Sequence, residues 1–181
     1  MRVIGIDPGS RICGYGVLEA RNGDIAYLAS GSIAPKTTLQ LSERLKVIYE
    51  GLVEVIGEHK PDAVSIEDIF FAKNAKSAIK LGQARGVALL AASTSGITIY
   101  EYAPTKVKLA LTGRGRANKL EVQKMLTAML GVEEFETQDA SDAVAIALCH
   151  IHLSGIESRL GKEFTRTRRR RRRFTLDDLP S

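Results

Sequence analysis

The sequence predicts an α/β fold with a mixed β-sheet. A hairpin signal between strand patterns and a helix pattern between two strands are the observations that predict it. Three short apolar runs are typical of strands: residues 3–7, 14–19 and 25–33. Asn22-Gly23, between the second and third runs, is a strong hairpin signal. Apolar residues spaced by three or four from Leu41 mark an amphipathic helix that ends near Gly57, and a buried strand follows at residues 63–67. The order βββαβαβ, followed by helices, is that of an α/β protein.

The remaining elements follow from the same periodicities and from turn residues. We expect a helix over residues 74–93, a strand over 97–102, a short helix from Pro104, a basic loop over 112–117, and helices over 118–130 and from about Asp139 to Leu153. The hairpin places the second strand beside the first, and a right-handed crossover brings residues 63–67 to the first strand's other side. Ligands bind such sheets where the carboxyl ends of these two strands meet.

Length and composition predict one folded domain with a tail. The chain has 181 residues, of which 44% are hydrophobic and 26% charged. We expect a domain over residues 1–158 and a basic, disordered tail over residues 159–181, which holds too few apolar residues to offset ordering entropy. Cys13 and Cys149 form no CxxC pair, which excludes a disulfide framework or a zinc knuckle. With no membrane span or signal peptide in the pattern, we expect a cytoplasmic protein.

Positive charge is concentrated in two segments. Residues 162–181 carry eight basic and three acidic side chains, including the run Arg168 to Arg173. Residues 73–132 carry ten basic side chains against only Glu101 and Glu121. A basic stretch inside an otherwise neutral domain indicates binding to a polyanion, although solvated helix faces explain it equally well.

Four carboxylates occupy positions that ordinary structural roles do not all explain. Asp7 and Glu67 each end an apolar strand, at the predicted meeting point of the carboxyl ends. Asp139 and Asp142 are three residues apart and share a face of the last helix, where helix capping is the alternative explanation. Partly buried carboxylates are costly unless they are paired or bind metal.

The donor types favour a hard cation. Carboxylates without histidine or thiolate neighbours suit Mg²⁺, with Mn²⁺ as a plausible substitute. Two ions about 3.5–4 Å apart would satisfy four carboxylates and hold both reacting oxygens of a phosphodiester. His150 lies too far along the helix from Asp139 to be a ligand, and we expect structural roles for it and for His152, and a solvated position in a polar turn for His59.

The segment Thr112-Gly113-Arg114-Gly115-Arg116-Ala117-Asn118-Lys119 looks like a phosphate-binding loop but lacks the Gly-Lys-Ser/Thr of a Walker motif. A flexible basic loop whose Arg114 and Arg116 hold a nucleic-acid backbone is the better interpretation. An actin-like ATPase built on Asp7-Pro8-Gly9 needs two domains, for which this chain is too short.

Four ordered motifs closely resemble the RuvC family of bacterial Holliday-junction resolvases. They are Gly5-Ile6-Asp7-Pro8-Gly9-Ser10, Ile66-Glu67-Asp68-Ile69-Phe70, Lys80-Leu81-Gly82-Gln83-Ala84-Arg85-Gly86 and Asp139-Ala140-Ser141-Asp142-Ala143. The resemblance covers roughly residues 1–155. It implies a ribonuclease-H-like mixed five-stranded sheet flanked by helices, and a homodimeric, Mg²⁺-dependent endonuclease. Such an enzyme cuts two opposed strands of a four-way DNA junction, favours a short thymine-containing sequence, and acts with the RuvA–RuvB branch-migration complex.

Carried over by position, the resemblance assigns roles to individual residues. It makes Asp7, Glu67, Asp139 and Asp142 the catalytic metal ligands. Phe70 matches an aromatic residue that stacks on a junction base, with a place in the core as the alternative. Lys108 and Lys119 match basic residues near the scissile phosphate, where they would stabilise the transition state.

A partner face, two functional alternatives and the role of the arginine run remain open at this point. Gly82 and Gly86, beside Ile79 and Leu89, make the second long helix a candidate dimer interface, although packing of the same glycines on the sheet explains them almost as well. A non-catalytic DNA-binding protein on the same scaffold would need no set of four acids. A ribonuclease H acting on RNA–DNA hybrids would share the metal chemistry. The arginine run is either an accessory DNA contact or a solvated tail.

Overall fold

The computed structural model describes the backbone of residues 1–68 and 75–170, and the side chains of residues 1–68, 75 and 77–155. Five strands form one sheet: β1 (Arg2–Asp7), β2 (Cys13–Arg21), β3 (Asp24–Ile33), β4 (Ala63–Glu67) and β5 (Thr98–Tyr102). Five helices surround it: α1 (Leu41–His59), α2 (Ala75–Thr94), α3 (Pro104–Thr112), α4 (Lys119–Leu130) and α5 (Gln138–Arg170).

The strand order is β3-β2-β1-β4-β5, and the sheet is mixed. β1 pairs antiparallel with β2 and parallel with β4, so Ile6 lies between Tyr15 and Ile66. Both predicted neighbours of β1 are therefore confirmed. The hairpin between β2 and β3 turns at Asn22 and Gly23, which both have positive φ, as the Asn-Gly signal predicts.

Alternating side chains of β1 serve two cores. Ile4 and Ile6 are fully buried in the core that also holds residues of α1 and α2. Val3 faces the opposite side of the sheet, in the core built with α3, α4 and α5. The period of two along a strand thus places α1 and α2 on one face and the other three helices on the second.

Glycines let α5 approach β1 and β2 closely. Gly5 and Gly16 are paired across the two strands, and a Cβ on either one would clash with the α5 backbone, at Ala143 and Val144 respectively. Gly14 pairs with Asp7, and a Cβ there would clash with the carbonyl oxygen of Asp139. The start of α5 is therefore fixed directly above the end of β1.

Helix α5 is longer than the sequence predicts. It continues beyond the expected end near Leu153 to Arg170. Glu, Lys, Arg and Leu are frequent after Gly155, and these residues favour the helix. Residues 171–181 lie outside the described part of the chain, and the boundary near residue 158 stays a prediction.

Two further observations concern the cysteines and the apolar character of the helices. Cys13 and Cys149 are buried free thiols. No helix in the described part of the chain is both long and apolar enough to cross a membrane.

Replacing Gly14 with alanine should push the first turn of α5 off the sheet. Because backbone rather than a flexible side chain occupies the space, we expect the free energy of unfolding to fall by about 1–3 kcal/mol in urea denaturation. The matched control is Gly57→Ala in α1, where a Cβ meets nothing within 4 Å. That change should stabilise the helix by about 0.5–1 kcal/mol. Equal effects of the two substitutions would contradict the close approach.

Candidate active site

Asp7 and Glu67 end neighbouring parallel strands on the same face of the sheet. The register that pairs Ile6 with Ile66 brings the two acids to adjacent positions at the carboxyl ends of β1 and β4. Their side chains point to the α5 face, since they alternate with the buried Ile6 and Ile66 of the other core. The expected meeting of the two acids is therefore a consequence of strand register.

Thr137 and the tight packing of α5 position the other two carboxylates. The Thr137 hydroxyl oxygen accepts the Ala140 amide hydrogen at 3.1 Å, and Thr137 also contacts the Ser32 hydroxyl of β3 at 2.5 Å. Thr137 is thus the N-cap of α5 and ties it to the sheet. Asp139 is therefore not the cap, although its place in the first turn of α5 is one where the helix dipole favours a carboxylate. Asp142 lies one turn further on.

The four carboxylates share one electrostatic environment. Burial, together with the negative charges of Glu67, Asp142 and Asp139, raises the pKa of Asp7 from 3.8 to about 7, against the opposing effect of Lys119. Burial and Asp142 also raise the pKa of Glu67. Like charges are therefore concentrated at this edge of the sheet, where they disfavour ionisation of Asp7 and Glu67.

Two lysines border the cluster on the α3 and α4 side. The Lys119 ammonium donates a hydrogen bond to Asp142 Oδ2 at 3.0 Å. Although partial burial opposes its charged form, this bond and the nearby Asp7 and Asp139 raise the pKa of Lys119. Lys108 lies close enough to Glu67 to oppose the rise of its pKa. Both lysines that the sequence singles out thus border the carboxylates.

The donor set fits a hard divalent cation. Every ligand candidate is a carboxylate oxygen, and the neighbouring Cys13 offers no thiolate because burial raises its pKa to about 12. In the described part of the chain, no three Asp, Glu, His or Cys side chains are already arranged to hold an ion. The carboxylates are close enough to interact electrostatically but are not arranged as a coordination shell, and the Lys119 ammonium forms an ion pair with Asp142.

The other sequence-predicted site residues have different positions. Arg114 forms a 2.9 Å ion pair with Glu121 and is 72% exposed, while Arg116 is exposed on the same loop. Phe70 lies outside the described residues. His150 is buried and its Nδ1 is 2.6 Å from the Tyr102 hydroxyl, which is the structural role expected of it.

Arg85 is a contributor that the sequence does not reveal. Its Nε donates to the Glu67 carbonyl oxygen at 3.3 Å, and its Nη2 forms ion pairs with Asp68 and Glu101. The side chain is only 16% exposed, so Arg85 joins the ends of β4 and β5 and is not a free DNA-binding charge. Only tertiary contacts distinguish it from the other cations of the basic segment. Thr137, by contrast, had a sequence signal as a preferred N-cap residue.

Comparisons with known proteins agree on one family. The RuvC family model, described as crossover junction endodeoxyribonuclease RuvC, matches residues 3–150. The protein of that name from Trichlorobacter lovleyi is 46% identical over 169 residues, covering 93% of this chain and 95% of the relative. The one from Pelobacter propionicus is 50% identical over 152 residues, covering 84% and 86%.

Solved structures give the same result for the fold. Thermus thermophilus RuvC in complex with Holliday junction substrate superposes with a TM-score of 0.82 at 34% identity, covering 87% of this chain and 96% of that one. Thermus thermophilus RuvC on its own gives a TM-score of 0.79 at 35% identity, covering 87% and 97%. The ribonuclease-H-like fold is therefore confirmed.

The raised pKa of Asp7 predicts how stability depends on pH without metal. In EDTA, the unfolded chain loses the Asp7 proton near pH 3.8 and the folded chain keeps it to about pH 7. The native state binds more protons in this window, so the free energy of unfolding should fall as pH rises through it. The upper limit is roughly 4 kcal/mol, at about 1.4 kcal/mol per pKa unit.

Denaturation of the wild type and Asp7→Asn across this pH range measures the effect. The variant lacks the ionisable group, so it should gain on the wild type as pH rises and be the more stable protein above about pH 7. Parallel pH profiles would show that Asp7 is not held in a field of like charges.

Proposed function

The chain belongs to the RuvC family of crossover junction endodeoxyribonucleases, and on that premise we propose that it resolves four-way DNA junctions with Asp7, Glu67, Asp139 and Asp142 as metal ligands. The observation that carries this proposal is the pKa of Asp7, raised to about 7 by burial and by the three other acids together. Such a concentration of negative charge lowers the stability of the apo protein and is relieved by cations.

The four carboxylates would hold the catalytic cations, and the two lysines beside them would contact the phosphate. Mg²⁺, or Mn²⁺ in its place, would activate the attacking water and stabilise the leaving oxygen, with two ions per site. Lys108 and Lys119, on the α3 and α4 side, neutralise charge on the scissile phosphate. Burial of Asp7 and Glu67 strengthens these interactions because water screens them less than it does on the surface.

Arg85 is a positioning residue for this chemistry. It fixes the backbone of Glu67 through the carbonyl oxygen and joins β4 to β5 through Asp68 and Glu101. A buried guanidinium with several partners holds a strand end more firmly than a single ladder hydrogen bond. The Glu67 carboxylate is thereby kept beside Asp7 when cations and DNA bind.

Symmetric cutting of two opposed strands requires two active sites, and α2 offers an interface. Ile79, Gly82, Gly86 and Leu90 lie on one face of α2. Ile79 is 63% and Leu90 54% exposed, and a Cβ on either glycine meets nothing within 4 Å. Packing of these glycines on the sheet is therefore excluded within the described residues. Leu89, which the sequence placed on this face, packs into the core instead.

Further parts of the proposal rest on the family alone. We propose that the protein acts during homologous recombination and DNA repair in the cytoplasm, together with the RuvA–RuvB complex. Phe70 would stack on a base at the opened crossover, and Arg114 and Arg116 would contact the backbone from their exposed loop. The basic tail would add a sequence-independent contact with DNA.

Asp7→Asn should abolish cleavage and leave binding intact. Metal ions supply several kcal/mol to phosphodiester hydrolysis, so we expect the rate on a four-way junction with Mg²⁺ to fall by about a hundredfold or more. Gel assays measure nicking, and fluorescence anisotropy measures binding. Asp24→Asn, at the exposed start of β3, is the matched control and should cleave normally.

Substrate comparison separates the competing functions. The wild type is incubated with a mobile junction, a linear duplex and an RNA–DNA hybrid, each with and without Mg²⁺. We expect cleavage of the junction alone, and only with metal. Cleavage of the hybrid would indicate a ribonuclease H, and binding without cleavage a non-catalytic protein. Full junction cleavage by Asp7→Asn would refute the catalytic assignment.

Charges on α2 should break the dimer. Ile79→Glu with Leu90→Glu places two like charges in an apolar interface, so sedimentation velocity should show a monomer where the wild type shows a dimer. Leu109→Glu on α3, at a residue 54% exposed, is the control and should stay dimeric. The monomer should also lose the paired nicking of opposed strands. A dimeric double variant would move the interface away from α2.

A further inference from the structure

A basic cleft lies beside the active site, at the same end of the sheet but on the side of α1 and α2. It has a volume of about 740 Å³, and its polar lining residues are Ser10, Arg11, Thr37, Arg44, Ser77 and Lys80. They come from the turn after β1, the link from β3 to α1, and the first turns of α1 and α2. No carboxylate is among the lining residues, so the cleft has a single sign of charge.

The cleft cations form no ion pair with the residues that the structure describes. Among the ion pairs of the described residues, none involves Arg11, Arg44 or Lys80. Among the described residues, no acceptor lies within hydrogen-bond distance of the buried Nε of Arg44. Arg85, only five residues after Lys80, shows the contrast, because its guanidinium is fully engaged by carboxylates.

The position of the cleft relates it to the catalytic carboxylates. Ser10 and Arg11 follow Asp7 by three and four residues through the Pro8-Gly9 turn. Lys108 and Lys119 border the same carboxylates from the α3 and α4 side. The acids therefore lie between two groups of cations. A strand with its scissile phosphate at Asp7 would have neighbouring phosphates on both sides.

We propose that this basic cleft binds the sugar-phosphate backbone of the DNA strand that runs into the active site. The inference rests on the proposed function and adds to it a second backbone contact, on the side of α1 and α2. Guanidinium groups match phosphate oxygens in a fork geometry, and the hydroxyls of Ser10, Thr37 and Ser77 add neutral donors. Such contacts fix the register of the strand and carry no sequence information.

The test removes two cleft charges and compares them with two charges elsewhere. The cleft variant is Arg11→Gln with Lys80→Gln, and the control is Arg21→Gln with Lys46→Gln, which changes the net charge equally. Lys46 is 73% exposed in a pair with Glu50, and Arg21 is exposed at the far end of β2. Both doubles are made in an Asp7→Asn background, so that the four-way junction stays intact during anisotropy titrations.

The readout is the salt dependence of junction affinity. The slope of log K against log salt concentration is negative, and each neutralised phosphate contributes about 0.9 to its magnitude. The magnitude of the slope should decrease by about 2 in the cleft variant and stay unchanged in the control. Arg11→Gln alone, at an exposed position, should lower it by about 1 and serves if the double variant does not fold. Equal slopes in the cleft variant and the control overturn the assignment.

Two further arms separate the alternatives. The wild type is tested in parallel for Mg²⁺-dependent junction cleavage. If the wild type cleaves the junction but the cleft variant keeps the wild-type slope, only the assignment of the cleft is refuted. If the wild type does not cleave the junction, the proposed function is refuted, and the assignment of the cleft with it. Inorganic phosphate should leave the melting temperature of the wild type unchanged. A rise that the cleft variant lacks would mark a small-anion site and overturn the assignment to DNA backbone.

Discussion

The distance between α5 and the sheet is the constraint on which the site depends. A Cβ at Gly5, Gly14 or Gly16 would clash with the α5 backbone, so these glycines let the helix lie close to β1 and β2. Asp139 therefore lies above the residue that pairs with Asp7, and Thr137 fixes the rotation of the helix through its cap and its contact with Ser32. Two backbone elements in contact thus decide where four carboxylates meet.

This geometry lowers the stability of the fold when the site holds no cations, and it favours cation binding. Burial and mutual repulsion raise the pKa values of Asp7 and Glu67, so part of the folding energy is spent on keeping like charges together. The cations around the acids divide into two kinds. Arg85 forms ion pairs with Asp68 and Glu101 at the strand ends, whereas Arg11, Arg44 and Lys80 line the cleft and form no ion pair among the described residues.

Much of the fold could be predicted because its signals are local. The Asn22-Gly23 turn, the helical spacing from Leu41 and the apolar strand that ends at Glu67 predict the neighbours β2 and β4 of β1, and hence the adjacent positions of Asp7 and Glu67. What the sequence left open depends on tertiary contacts. Nothing in the periodicity separates Arg85 from Lys80, or tells whether Leu89 or Leu90 faces outward on α2. The length of α5 was underestimated because the charge of its last turns suggests disorder.

Because Lys119 donates a hydrogen bond to Asp142, its ammonium group is affected by both proposed ligands of the site, the metal ion and the DNA strand. This ammonium serves as an internal counterion at 3.0 Å from a carboxylate that we assign to metal. A divalent ion held by Asp142 would compete with that contact and leave the Lys119 ammonium available to nucleic-acid phosphate. Cation binding and DNA binding would then be coupled through this side chain, each strengthening the other by thermodynamic reciprocity.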